Sequence, residues 1–277
     1  MAEVVRKDCS LTNEYKRSSK LQDLGYILLV IGIPTTFAIL VFGLSWLLTF
    51  LTIPMIVVGI VFVNVFDKNT SIVASGVEGE DRLHNIIERL PETFIGFQNV
   101  HVFYNGEQSE LDMVVIGLTG IFVIEVKNHN GTIVGNFSDR NWVQHKVGRN
   151  GTPYSKEMYN PAKQVGTHVY RLANYLRDRG VKCHVESVVY FANPEADVQL
   201  HGTPEKTAVF CERYNGGEAL LDYILNRPET VSKEDAVKAV ILLDGGNDAD
   251  MDWAVKEVNR PMTPEEMAQY NNNNNYY

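Results

Sequence analysis

The stretch that decides the fold is SELDMVVIGLTGIFVIEVK, residues 109–127. It contains two short segments, residues 111–116 and 121–126, that are rich in valine, isoleucine and phenylalanine, with Gly117 and Gly120 between them. Apolar, β-branched segments bounded by glycine are typical of buried strands that a tight turn connects. The stretch therefore predicts a β-hairpin.

Charged residues interrupt the apolar pattern of this hairpin. Asp112 is in the first strand, and Glu125 and Lys127 are in the second, where their spacing of two places both side chains on one face. Such charges destabilise an apolar hairpin unless they are paired or bind a cation. Two carboxylates beside a lysine suit a hard divalent cation next to a phosphate. The alternative is a structural ion pair between Lys127 and either acid.

Charge is distributed unevenly along the 277 residues. The net charge of -9 argues against a surface that binds nucleic acid everywhere, but residues 139–182 carry nine Lys/Arg against three Asp/Glu. Residues 183–277 carry seven against seventeen. Because the basic segment follows the hairpin directly, an anionic partner there is a reasonable hypothesis. Arg149 and Lys156 could contact a nucleic-acid backbone, and exposed, solvated side chains are the alternative.

The sequence does not indicate a zinc site. The three cysteines are odd in number and far apart, and no Cys/His ligand spacing occurs. They fit a reducing compartment.

The N-terminal part predicts a membrane anchor. A polar, basic segment, residues 1–23, precedes residues 24–66, which contain no charged side chain. A run of this length suffices for two transmembrane helices. The basic residues in front of it place the N-terminus in the cytoplasm, and two spans return the chain to that side. We therefore expect an integral membrane protein whose soluble part faces the cytoplasm; a single long span would put that part outside.

The remaining chain alternates strands and helices. An amphipathic helix is expected to begin after Gly79, with Glu80 in its first turn. Asn160 and Pro161 open a second helix, on which Gln164 and His168 share a face. Residues 146–156 are expected to form a polar loop. The other predicted strands are residues 93–104, 132–134, 142–145, 186–192 and 207–211, and the other predicted helices are residues 217–226 and 232–243.

These pieces together resemble the NERD (nuclease-related) domain of the PD-(D/E)XK nuclease-like superfamily. The resemblance rests on Glu80 after a glycine, Asp112, the Glu125-Val126-Lys127 triplet, and Asn160-Pro161 with Gln164. It implies an α/β fold, a PD-(D/E)XK-like mixed sheet flanked by helices, here preceded by two transmembrane helices. The expected divisions are residues 1–23, 24–66 (anchor), 75–192 (nuclease-like domain), 193–262 (C-terminal α/β extension) and 263–277 (disordered, asparagine-rich tail).

The resemblance also implies roles for particular residues. Asp112, Glu125 and the carbonyl of Val126 would ligate Mg²⁺ or Mn²⁺, and Glu80 would add an acid. Lys127 would orient or deprotonate the attacking water or neutralise the phosphate. Gln164 would hold a water, a phosphate oxygen or the metal shell.

Two functions follow as expectations. The first is a membrane-anchored, metal-dependent nuclease that acts on DNA or RNA at the cytoplasmic side. The second is a non-catalytic, membrane-tethered module that binds nucleic acid or protein. A transporter ranks low, because two uncharged spans enclose a polar path only in a homo-oligomer, and such association is left open.

Overall fold

The computed structural model describes residues 1–6, 10–43, 46–148, 151–204 and 206–246. The predicted disordered tail, the end of the C-terminal extension and Arg149 lie outside these residues. The strands are β1 (Glu3–Arg6), β2 (Ile95–Tyr104), β3 (Glu107–Gly117), β4 (Gly120–Lys127), β5 (Gly131–Asn136), β6 (Asn141–Val147), β7 (Pro153–Tyr159), β8 (Val185–Phe191), β9 (Ala196–His201) and β10 (Thr207–Cys211). The α-helices are α1 (Ser10–Phe42), α2 (Thr49–Ile87), α3 (Pro161–Arg177), α4 (Gly216–Leu225) and α5 (Lys233–Asp244).

The strands form two sheets, and the predicted mixed α/β fold is confirmed. The main sheet has the order β1-β2-β3-β4-β8-β10, in which β2, β3 and β4 are antiparallel neighbours and β4, β8 and β10 run parallel. The second sheet has the order β7-β6-β5-β9. The predicted hairpin of β3 and β4 is at the centre of the main sheet.

Alternate residues of the central strands fill two hydrophobic cores. The first core lies on the α3 side and includes Val114, Val123, Val165 and Trp142. The second core lies on the opposite side and joins the end of α2 and helix α4 to Phe122 and other strand residues. Glu125 follows Val123 by two residues, so its side chain leaves β4 on the first-core side.

Helices α1 and α2 are each long and apolar enough to cross a membrane. Their candidate spans have mean hydropathies of 2.3 and 2.5, and the most apolar windows are only 17% and 11% buried within the protein. A helix in a soluble core would bury most of its apolar side chains, so these helices present apolar surface outward. They contact each other where Gly25 lies against Gly59.

The predicted helix start after Gly79 is wrong. Helix α2 continues without a break from the apolar segment to Ile87, so Glu80 lies near its C-terminal end. No proline interrupts the chain between Pro54 and Pro91. Gly79 instead serves close packing, because a Cβ there would lie 2.8 Å from Cβ of Asn128.

The expected polar loop at residues 146–156 is shorter than predicted. Strand β6 extends to Val147, and β7 begins at Pro153. Strand β7 is an exposed edge strand, and its sequence lacks the pattern of apolar residues that indicates a strand. Two further strands, β1 and β9, were not predicted. Strand β1 has only four residues, and its partner β2 follows the whole helical hairpin in the sequence. Local sequence does not reveal such a distant partner.

Strand β1 also restricts the topology of the chain. Val4 pairs with Gly96 and Val5 with Phe97, and the Ala2 amide donates a hydrogen bond to the carbonyl of Leu90. These residues precede and follow the helical hairpin. Both of its ends therefore lie on the same side of any membrane that α1 and α2 cross.

This register can be tested by cross-linking. In a chain whose three native cysteines are replaced by alanine, Val4→Cys with Gly96→Cys should form an intramolecular disulfide under mild oxidation. The expected result follows because a Cβ at position 96 would lie 3.1 Å from Cγ2 of Val4. Mass spectrometry of the digested, non-reduced protein detects the linked peptides.

The matched control is Val4→Cys with Phe103→Cys, whose second cysteine lies roughly 20 Å further along β2. This pair should stay reduced. Equal cross-linking of both pairs, or of neither while all the thiols react with a maleimide, would contradict the pairing of β1 with β2.

Candidate functional site

The candidate site lies where strands β3 and β4 part. Their registered pairs run from Gly117 with Gly120 to Met113 with Ile124. One step further, the same register would set Asp112 opposite Glu125, but the pairing has ended there. Strand β4 continues alone against β8 as far as Lys127. The two acids therefore face each other at the bottom of a gap between strands.

The backbone next to Asp112 is distorted as well. Asn99, which would lie opposite Asp112 on β2, has a left-handed conformation with φ of 58°. Leu111 and Val114 both contribute to the first core, although strict alternation would place them on opposite faces. The distortion turns the side chain of Asp112 toward β4, where Oδ2 accepts a hydrogen bond of 2.8 Å from the Val126 amide.

This hydrogen bond also orients the carbonyl of Val126. In a strand, the N–H and C=O of one residue point toward the same neighbour. Because the Val126 amide points toward Asp112, its carbonyl also faces the gap between β3 and β4.

Asp112 has an electrostatic environment that disfavours its charge. Burial and then the negative charge of Glu125 raise the pKa of Asp112 well above its usual value, and Glu80 adds to this. Lys127 and the Val126 amide offset the shift only in part. The carboxylate of Asp112 thus lies near two others and needs further positive charge to be stable.

Glu125 is held as a carboxylate. Its side chain is 2% exposed; Oε1 accepts a hydrogen bond of 2.5 Å from Lys127 Nζ, and Oε2 lies 3.4 Å from His168 Nε2. Burial alone would raise the pKa of Glu125, but His168 and Lys127 outweigh it and the pKa lies below its usual value. The pKa of Asp112 is therefore raised while the pKa of Glu125 is lowered, and such opposite shifts are found at functional sites.

Glu80 approaches from the other side of the main sheet. It is buried on α2, and Oε2 accepts a hydrogen bond of 3.2 Å from Gln98 Nε2. Gln98 Oε1 in turn lies 3.1 Å from His84 Nδ1, one turn along α2. The charge of Glu80 thus acts on Asp112, while the side chain of Glu80 is held by the separate hydrogen-bonded group of Gln98 and His84.

Helix α2 is fixed directly to the end of β4. Asn128 donates from Nδ2 to the carbonyl of Ser75 at 2.7 Å, and Ser75 Oγ lies 3.2 Å from the carbonyl of Asn128. Gly79 lets the helix approach Asn128 and Val126 closely. The position of Glu80 is therefore set by contacts with the strand that carries Glu125.

Helix α3 supplies the group that sequence reasoning did not assign. Asn160 caps it by accepting a hydrogen bond from the Ala162 amide at 2.9 Å, and Pro161 occupies its first turn. Gln164 is half-buried, and its side chain has no hydrogen bond among the described residues. His168, one turn later, is the α3 residue that reaches Glu125. Its spacing from Gln164 was the available signal.

The described part of the chain contains no group of three or more His, Cys, Asp and Glu side chains that could hold a metal ion. The predicted ligand set of Glu80, Asp112 and Glu125 is therefore not gathered at one point. What the structure brings together is Asp112, Glu125, the backbone of Val126 and Lys127.

These residues fit a divalent cation with oxygen ligands. Glu125 Oε2 and both ring nitrogens of His168 are buried with no hydrogen-bond partner among the described residues. A cation in the gap would satisfy Glu125 and stabilise the charge of Asp112, and carboxylate and carbonyl oxygens are the ligands that Mg²⁺ and Mn²⁺ prefer.

Comparison with known proteins finds a family match in this part of the chain. Residues 75–192 match the family model of the nuclease-related domain (NERD). A segment of 71 residues is 34% identical to an uncharacterized protein of Bacillus anthracis; it covers 25% of this chain and 34% of that protein. The chain thus spans about a third of the length of that relative. No solved structure matches the chain significantly.

The pKa of Asp112 leads to a prediction about stability without metal. A carboxyl whose pKa is raised by folding stabilises the fold while protonated, and this contribution is lost as the pH rises through the raised pKa. Asp112→Asn removes the charge and keeps an acceptor for the Val126 amide. In EDTA, the variant should melt above the natural chain at pH 7.5, by roughly 3 °C, as about 1 kcal/mol gives in a domain of this size.

The difference should shrink at pH 5, where Asp112 is more fully protonated. Asp139→Asn, which removes an exposed carboxylate, is the control and should show no such pH dependence. Differential scanning fluorimetry of the detergent-solubilised chain measures both. A variant that is less stable than the natural chain at pH 7.5 would contradict the repulsion described here.

Proposed function

We propose that this chain, in which residues 75–192 form a nuclease-related domain, is a membrane-anchored, divalent-metal-dependent nuclease. It would hydrolyse phosphodiester bonds of DNA or RNA at the cytoplasmic side. The observation that supports this most strongly is the gap between β3 and β4, where Asp112 and Glu125 face each other with Lys127 beside them.

The chain's own residues divide the work as follows. Asp112, Glu125 and the carbonyl of Val126 would hold Mg²⁺ or Mn²⁺, which when bound activates water and stabilises the charge that develops on phosphorus. Lys127 is 19% exposed, so its ammonium group can reach a phosphate oxygen or hold the attacking water. Gln164, half-buried on α3 one turn before His168, would hold a water or a phosphate oxygen.

Two residues would position the acids rather than touch the substrate. Glu80, tied to Gln98, contributes negative charge that favours a cation near Asp112. His168 favours the ionised form of Glu125, which is the form that binds a cation.

The anchor and its side are part of the proposal. Helices α1 and α2 would cross the membrane through residues 24–66, and the pairing of β1 with β2 requires the N-terminus to share a side with the domain. The basic residues in front of α1 favour the cytoplasmic side. DNA or RNA in the cytoplasm would then reach the site at the membrane surface.

The Glu125–Lys127 contact also supports a second candidate, a tethered module without catalysis. An ion pair of 2.5 Å between a buried carboxylate and a lysine that is only 19% exposed can be purely structural. The two functions differ in metal binding. A nuclease should show a rise in melting temperature with Mn²⁺ that Asp112→Ala abolishes, whereas a structural ion pair gives no rise in either protein.

The nuclease proposal predicts the effect of Glu125→Gln. The substitution keeps the size of the side chain and removes the charge, so cleavage of labelled DNA or RNA with Mg²⁺ or Mn²⁺ should fall by about 10²-fold or more. The full chain in detergent is used, because truncation before α2 would remove strand β1. Gel analysis of products with and without EDTA gives the rate.

Glu234→Gln on α5 is the matched control, since it removes one exposed carboxylate far from the gap. It should cleave at the natural rate. Metal-dependent cleavage that persists in Glu125→Gln would rule out this site.

His168 leads to a prediction about the pH profile. Since His168 lowers the pKa of Glu125, His168→Asn should raise that pKa and move the acid limb of the cleavage profile to higher pH. His101→Asn, on the exposed part of β2, should leave the profile in place. A uniform loss of rate at every pH, without a shift of the acid limb, would indicate a packing role only.

A further inference from the structure

A row of basic residues leads away from the candidate site along the second sheet. Lys127 ends β4, His129 lies in the link to β5, Lys146 is on β6 and Lys156 is on β7. The three lysines are called the basic strip below, and His129 lies among them.

The strand register places both lysines of the second sheet on one face. Lys156 lies directly opposite Gln144, and Lys146 lies directly opposite Tyr154. Residues opposite each other in an antiparallel pair share a face, as do residues two apart in one strand. Lys146 and Lys156 are therefore diagonal neighbours, and the exposed ring of Tyr154, which lies opposite Lys146 on the edge strand β7, shares their face.

This face is joined to the segment that follows Lys127. Gln144 is buried and donates a hydrogen bond of 2.7 Å from Nε2 to the carbonyl of Asn130. A Cβ on Gly131 would lie 3.4 Å from Cγ of Lys146. The lysine of β6 thus packs over the chain only a few residues beyond the candidate site.

The same face is turned toward the candidate site. Trp142 and Met158, which share it, pack on the first core, and Glu125 leaves β4 on the first-core side. Glu157 points to the other face of β7, where its carboxylate accepts a hydrogen bond from Asn141. The acid of this strand therefore does not neutralise the basic strip.

Electrostatic effects agree with this placement. Burial, and then the charges of Lys127, Lys146 and Lys156, lower the pKa of His129 to about 4. Burial and Lys156 also lower the pKa of Lys146. The lysines are thus close enough to repel each other, and His129 is neutral near pH 7. A bound anion would relieve this repulsion.

We propose that the basic strip binds the phosphate backbone of a nucleic-acid strand and guides it to Lys127 at the candidate site. The proposal rests on the proposed function and adds where the substrate lies. Lysines with an exposed aromatic ring on one strand face are typical of surfaces that follow a nucleic-acid backbone without reading its sequence.

The test is the salt dependence of binding. The full chain in detergent, with EDTA to prevent cleavage, is titrated against a fluorescent 20-nucleotide single strand at 50–200 mM salt. Lys146→Ala with Lys156→Ala should weaken binding about tenfold or more at 100 mM salt. It should also reduce the slope of log K against log salt by about 1.4, the loss of two phosphate contacts.

The control is Lys233→Ala with Lys238→Ala on α5, which changes the net charge equally. It should keep the natural slope, and Lys146→Arg with Lys156→Arg should keep most of it. An unchanged slope in the alanine variant of the strip, or an equal loss in the α5 control, overturns the proposal.

The outcome separates the two proposals. A chain that binds through the strip but does not cleave with Mg²⁺ or Mn²⁺ overturns the nuclease function and supports the strip. A chain that cleaves, and whose strip variant keeps the natural salt slope, overturns the strip and supports the nuclease function.

Discussion

The structure depends on one feature of the main sheet, the separation of β3 from β4 at Asp112 and Glu125. Up to this point the two strands pair and carry apolar residues. Beyond it their pairing ends and polar residues follow. The hydrogen bond from the Val126 amide to Asp112 substitutes for a missing strand partner, so the backbone amide is satisfied although the strands diverge. A buried gap lined by two carboxylates would otherwise destabilise the sheet, and Lys127 and His168 supply the compensating charge and polarity.

Helix α2 connects the apolar helical hairpin to this gap as one continuous element. It begins within the apolar hairpin, and its last turns carry Glu80 and the second-core residues Leu83 and Ile87. Asn128 fixes it to the end of β4 through Ser75. Since β1 is also part of the sheet, the hairpin joins the domain by both of its ends. The helical hairpin is therefore an integral part of the fold rather than a flexibly attached segment.

Much of the domain could be predicted from local sequence, because its signals are local. The hairpin of β3 and β4 follows from two apolar segments around Gly117 and Gly120, and the start of α3 follows from Asn160 and Pro161. The pairing of β1 with β2 could not be predicted, since its partners are about 90 residues apart and four residues carry little pattern. Gly79 suggested a helix boundary, whereas it is a site of close packing within α2. His168 was visible only as a helical neighbour of Gln164.

Charges of like sign lie close together at two neighbouring places in this structure. Asp112 and Glu125 lie in the gap and Glu80 acts on Asp112 from the other side of the main sheet, so burial strengthens the repulsion that Asp112 experiences from both. Lys146 and Lys156 lie on the adjoining face of the second sheet, and they repel each other in turn. Lys127 connects the acidic gap with the basic face, because it donates a hydrogen bond to Glu125 and also lowers the pKa of His129. A cation in the gap and a phosphate beside it would relieve both repulsions together, and a nucleic-acid strand with its metal ion carries both charges in that arrangement.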